Sequence, residues 1–166
     1  MTYIDIAYYS DLYGAIDPSD FKRLSFDACR KVDNYTTGVD GVRKLSVAFP
    51  TDEYAAESVR RCVAKVLNLM HQIEQAEKYA ASLNGYVETE SGLRGKVISS
   101  VSAGNESISY AVNHQTATEI DKAVSDPAAR ERLFARTIAE YLSGYADANG
   151  VNLMHMGPYK PRRYTC

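Results

Sequence analysis

The sequence has no tryptophan, only three cysteines and five prolines, and no long apolar run in its 166 residues. Cys29, Cys62 and Cys166 are odd in number, widely spaced and without a CxxC pair. A disulfide framework is therefore disfavoured, and scattered thiols fit a reducing cytoplasm. Cys29 and Cys62 fall among apolar helical positions and read as small core residues. A membrane span needs about 20 consecutive apolar residues, and no stretch approaches that. The opening MTYIDIAYYSDLYG carries Asp5 and Asp11 and no basic region, so it does not read as a secretory leader. Neither sign of charge dominates, with 19 Lys plus Arg against 21 Asp plus Glu and a net charge of -2. A protein that lived by wrapping DNA phosphates would be clearly basic, so that trade is disfavoured for the whole chain.

What is present is an ordinary globular mixture, 45% hydrophobic and 24% charged, which excludes wholesale disorder and leaves room for one domain with an arm. The 13 tyrosines stand out. Tyrosine offers broad contact area with a polar tip, so the excess points to interfaces before catalysis.

Periodicity predicts a mainly α chain. Asp17 as N-cap and Pro18 at the first position open a helix to about Tyr35, with Phe21, Leu24, Ala28, Val32 and Tyr35 as its stripe. Residues 38–50 read as a loop with a short strand at 45–49. A second helix begins at Thr51 or Asp52 and is stopped by Asn84 and Gly85. Its stripe runs Val59, Cys62, Val63, Val66, Leu67, Met70, Ile73, Ala76, Ala80 and Leu83. At about 33 residues it would be roughly 50 Å long, against a globule diameter of roughly 40 Å. It is expected either to bend at Asn68 or to share its stripe with another subunit. Residues 85–95 read as a flexible connection. Residues 96–101 and 106–112 alternate as the strands of a small β-hairpin turning at 103–105. Thr116 with Glu119 suggests a capping box for a short helix to about Val124. Asp126 and Pro127 open the last helix, which carries Leu133, Phe134, Ile138, Tyr141 and Leu142 and stops at Gly144. Residues 151–154 could pair as a strand, and 158–166 read as a tail. The expected architecture is a helical bundle with one long central helix, a small β-hairpin and an extended C-terminal tail. Its domains are 1–150, a helical domain with the hairpin at about 96–112, and 151–166, a docking tail whose removal should spare the fold.

No catalytic constellation assembles. His71, His114 and His155 share no helical face at ligand spacing, and there is no HExxH or GxSxG. His155 between Met154 and Met156 reads as part of a docking segment rather than a metal site. Gly92-Leu93-Arg94-Gly95-Lys96 misses the phosphate-loop spacing, and the same GLRG leads into a strand, where an RNA-binding KH loop would join two helices. No catalytic residue, cofactor or metal is expected. The compact positive cluster is Lys160, Arg162 and Arg163, suited to DNA phosphates, an acidic partner or simple solubility.

Four segments taken in order carry a resemblance. They are IAYYSDLYGAIDPSDFKRLSFDACRKVDNYT, FPTDEYAAESVRRCVAKVLNLM, KVISSVSAGNESISYAV and RTIAEYLSGYADANGVNLMHMG. Together the chain resembles the head–tail connector (head-completion, or adaptor) proteins of long-tailed bacteriophages and prophages. It departs from them in lacking the closing Leu-Tyr-Arg-Gly run and in a longer 113–125 stretch. The resemblance implies a structural virion protein, made in the bacterial host cytoplasm and placed at the head–tail interface. It would form a homo-oligomeric ring, a dodecamer on the portal, that joins capsid to tail, extends the DNA channel and helps retain packaged DNA. Its partners would be sister copies, the portal protein, a tail or stopper (neck) protein and the double-stranded DNA passing through, with no membrane. The residues expected to dock on portal or neighbours are Val151, Leu153, Met154, Met156 and Tyr159, with Val97, Val101, Ile108 and Tyr110 on the hairpin. A different reading of the same chain is a small helical DNA-binding regulator or packaging accessory with the basic tail as its arm.

Overall fold

The computed structural model describes residues 2–82, 86–89, 92–102, 107–112 and 118–161. The chain is mainly helical, and it divides into two compact units, Met1–Met70 with Phe134–Cys166, and His71–Leu133. The expected division at 150/151 is therefore not where the chain separates. Residues 151–161 belong to the first unit.

The first unit opens with a helix that periodicity did not reveal, α1 (Ile6–Tyr13). Asp5 caps it by accepting from the Tyr8 N–H, and Gly14 ends it at φ 89°, a conformation costly for any side chain. Only Tyr9 of its eight residues is buried, so no stripe was there to read. Next comes α2 (Pro18–Thr36), capped by Asp17 through Ser19 N–H at 2.8 Å. It buries Leu24, Ala28, Cys29 and Val32.

The strand expected at 45–49 is instead a helical turn, α3 (Lys44–Val47). The reason lies in the burial pattern. Lys44, Leu45 and Ala48 face inward while Ser46 and Val47 face out, and a strand cannot bury two consecutive residues on one face.

The dominant element is α4 (Glu53–Ser82), 30 residues without a break. Asp52 caps it through Ala55 N–H at 2.8 Å. Val59, Cys62, Val63, Val66, Leu67 and Ile73 are buried within the chain itself. The expectation of a stripe left for a sister subunit is corrected at these positions, which the chain itself covers. Asn68 lies inside this unbroken helix, where it is buried and accepts a hydrogen bond from the Tyr9 hydroxyl at 3.2 Å. That bond meets the cost of burying an amide in an apolar stripe.

The second unit holds strands β1 (Tyr86–Thr89), β2 (Gly92–Ser102) and β3 (Ser107–Val112), antiparallel in the order β1-β2-β3. Tyr86 stands opposite Gly95 and Lys96 opposite Val112. The stretch read as a flexible connection thus contains β1 and the first turn of pairing on β2. The expected turn at 103–105 and the stop at Asn84 and Gly85 lie outside the described residues. Helix α5 (Glu119–Ser125) does have a capping box, but it is Thr118 with Asp121. Thr116 lies outside the described residues. Arg130 closes the end of α5 by donating to Ala123 O at 2.8 Å and reaches Glu77 of α4.

Helix α6 (Pro127–Leu142) starts at Asp126, which accepts from Ala128 N–H at 2.8 Å, and Gly144 follows it at φ 87°. In the first unit it buries Phe134, Ile138 and Leu142. Lys31 of α2 sits 5.1 Å from the Phe134 ring centre. After α6 the chain turns back on itself. Asp147 N–H donates to Val151 O at 2.9 Å and Leu153 N–H to Tyr145 O at 2.9 Å, with Gly150 at φ 74° in the bend. The strand expected over 151–154 is reduced to a single bridge, Ala146 with Asn152. Among the described residues no helix is long and apolar enough to cross a membrane.

Leu153 is fully buried. Leu153→Ala should cost about 2–5 kcal/mol, the range for emptying a buried leucine site. Urea unfolding checks this. A cost under about 0.5 kcal/mol, the size of an ordinary surface change, would show that residues 151–154 lie outside the core.

Candidate docking surface

Two features of the first unit bear on docking: the segment after α6 and an open groove at the start of α4. The segment is held by a buried cation. Lys44 has no exposed surface, and its ammonium donates to Leu153 O at 3.0 Å and to His155 O. Burial pulls the lysine below its usual value, while the carboxylates of Asp147 and Asp40 oppose that shift. Asp147 is itself buried, and one of its oxygens accepts from Val151 N–H at 2.8 Å and Asn149 N–H at 2.9 Å. Further on, Tyr159 N–H donates to Asp40 at 2.6 Å, and its hydroxyl accepts from Asn149 at 2.8 Å.

These contacts correct the expected docking tail. Val151 and Leu153 are buried in their own unit and cannot present themselves to a portal. An apolar residue followed by a turn satisfies the core of the chain that carries it. Met154 is half-buried, Met156 is exposed, and Tyr159 is half-buried on its own loop. Lys160 is exposed, whereas Arg162 and Arg163 lie outside the described residues. Val97 and Val101 stand on β2, opposite Ala111 and Ile108, and Ile98 of β2 faces Tyr110 of β3. That places the four hairpin residues by backbone register alone. His114 and Cys166 lie outside the described residues. His71 shares a hydrogen bond with Gln75 at 3.2 Å, and among the described residues no three His, Cys, Asp or Glu side chains come together to hold a metal ion.

The groove was missed by sequence reasoning, since α1 and the turn at 49–52 gave no periodic signal. Its volume is about 560 Å³, and Phe49, Pro50, Glu53, Tyr54, Glu57 and Arg60 help to line it. A neighbouring cleft of about 440 Å³ shares Arg60 and is walled by Tyr3 and Tyr8. The stacked rings of Tyr3 and Phe49, 5.5 Å apart, bring one residue from each wall together. Tyr3 is fixed by donating to Asp33 at 2.7 Å, and Tyr8 by donating to Glu57 at 2.8 Å. Glu57 also receives Arg61 at 2.9 Å, and those donors hold its carboxyl below the usual value. Burial, followed by the bond to Glu57, pushes the Tyr8 phenol up to about 12. Burial raises Asp33 as well, against the pull of the Tyr3 bond.

Two measurements follow from this chemistry. Lys44→Met should cost about 3 kcal/mol, because the buried Leu153 carbonyl and the part-buried His155 carbonyl lose their donor; urea unfolding of the variant checks it. The phenols of Tyr3, Tyr8, Tyr9, Tyr13 and Tyr159 are all raised above 10.0, so the native state keeps protons that the unfolded chain releases near that pH. Their contribution to stability is complete below pH 10 and is lost as pH climbs through the folded values. Unfolding followed against pH should show this loss, and Tyr8→Phe should flatten its slope between pH 10 and about 12.

No family model, curated protein or solved structure matches this chain.

Proposed function

We propose that the chain is a structural connector of a long-tailed phage or prophage. In this reading, copies form a ring beneath the portal, join the capsid to the tail, extend the DNA channel and help hold packaged DNA. The observation that carries it is the set of large apolar side chains the first unit leaves in water. Phe26, Val39, Val47, Tyr54 and Met156 are each more than half exposed, with Tyr54 at 79%. Scattered single residues of this kind are ordinary, but Tyr54 lines the aromatic groove described above. Apolar surface around a concavity marks an interaction site.

The ordered resemblance of four segments supplies the identity of the partners. The net charge of -2 suits a channel through which DNA slides without sticking. The support from the long helix is weaker than the sequence implied, because its stripe is buried from Val59 to Leu67 and again at Ile73. The exposed side chains around α2, α3 and the start of α4 take its place.

Light scattering across concentration, with and without portal-bearing capsids, tests the proposal. Mass should rise in multiples of one chain on the particles, and electron microscopy should show a ring at the vertex. A monomer indifferent to the particles at every concentration would remove the connector reading. Duplex DNA binding should stay near background with a flat salt response; a steep slope would favour the regulator reading.

A further inference from the structure

The groove at the start of α4 combines three chemical elements on one helix end. Tyr54 offers an exposed aromatic face, and Glu53 beside it is exposed with no hydrogen bond or ion pair among the described residues. Arg60 is also exposed and lacks such a partner. Glu57, between them, is already occupied by Arg61 and Tyr8. Glu53 and Arg60 are seven residues apart on one helix, so they share a face about 10 Å apart along its axis. The groove thus has an acidic, aromatic end and a cationic end, with Phe49 and Pro50 among its lining.

One segment of the same sequence matches the acidic, aromatic end by charge and can meet the cationic end through its backbone carbonyls. Residues 158–163 read Pro-Tyr-Lys-Pro-Arg-Arg. Two prolines three apart favour polyproline II, whose backbone carbonyls are left free to accept hydrogen bonds. Aromatic-lined grooves recognise such segments, and flanking charges set their direction. In its own chain this segment is held through Tyr159, while Lys160 and Pro161 stand exposed.

We propose that residues 158–163 of one copy dock in the α4 groove of a neighbouring copy. Glu53 and Tyr54 take the arm's cations by ion pair and cation–π contact, and Arg60 donates to its free carbonyls. Because arm and groove are different surfaces, the contact is head-to-tail, the kind that closes rings. The inference rests on the self-association in the proposed function and adds its contact.

The native thiol of Cys166 provides the test, since Cys29 and Cys62 are buried and inert to mild oxidants. Thr51 is exposed in the lining of the groove and takes no part in the proposed contact, so Thr51→Cys spares the groups that hold the arm, and circular dichroism verifies the fold. Thr51→Cys, oxidised during assembly, should give a ladder of covalent species beyond the dimer, the limit for wild type with one such thiol, and peptide mapping should join the new cysteine to Cys166. A disulfide closed within single chains would overturn the assignment to a neighbour, and no new disulfide would overturn the contact altogether. As a second measurement, Glu53→Arg should weaken self-association about tenfold, as expected for a like-charge clash at an interface. Adding Arg162→Glu and Arg163→Glu should restore it; failure to restore would count against the pairing. Copies that crosslink yet ignore portal-bearing capsids would remove the connector reading and leave this contact standing. Capsid-bound copies without a ladder would do the reverse.

Discussion

A lysine ammonium with no exposed surface, fixed by Leu153 O and His155 O, organises the end of the first unit. Taking that charge out of water is costly, and the two carbonyls with the nearby Asp147 carboxylate offset the cost only in one geometry. The geometry requires α3 to be a helical turn, because Lys44 and Leu45 must both face inward. It also requires the chain after α6 to reverse at Gly150 so that Leu153 can enter the core. The turn, the reversal and the burial of Val151 and Leu153 therefore depend on one another. A stretch that looks like a loose end in the sequence is part of the core.

Helices with long stripes and conventional caps were legible. Asp17 with Pro18, Asp52, and Asp126 with Pro127 each open a helix as their chemistry dictates. Short elements were not. Helix α1 buries one residue, and α3 is a single turn, so neither carries enough period to distinguish it from a loop. Lys44 gave no signal, because a lysine next to Arg43 in a glycine-containing stretch reads as solvated. The capping box lies two residues on, at Thr118 with Asp121, where an aspartate stands in for the Glu or Gln of the usual pattern. Of the expected docking residues, Met156 is exposed, while Val151 and Leu153 went to the core. Local sequence shows that a side chain is apolar but not which surface it will cover.

The tyrosine excess is used in two ways. Tyr3 and Tyr8 are half-buried and spend their hydroxyls on Asp33 and Glu57, tying the N-terminal segment to α2 and α4. Tyr54 keeps its ring in water on the rim of the groove those bonds help to shape. One residue type thus builds the wall and lines the opening, which a ring chemistry with both an apolar face and a polar tip permits.

Asn68 is the one amide set in the buried stripe of α4, and the Tyr9 hydroxyl meets it from α1. Valine, leucine and alanine neighbours tolerate small rotations or a slide of one turn with modest loss. The amide does not, for either displacement would strand a dipole in hydrocarbon. This single polar point acts as a fiducial mark along an otherwise slippery rod, setting the phase at which the helix seats and so the direction in which its free outer face looks.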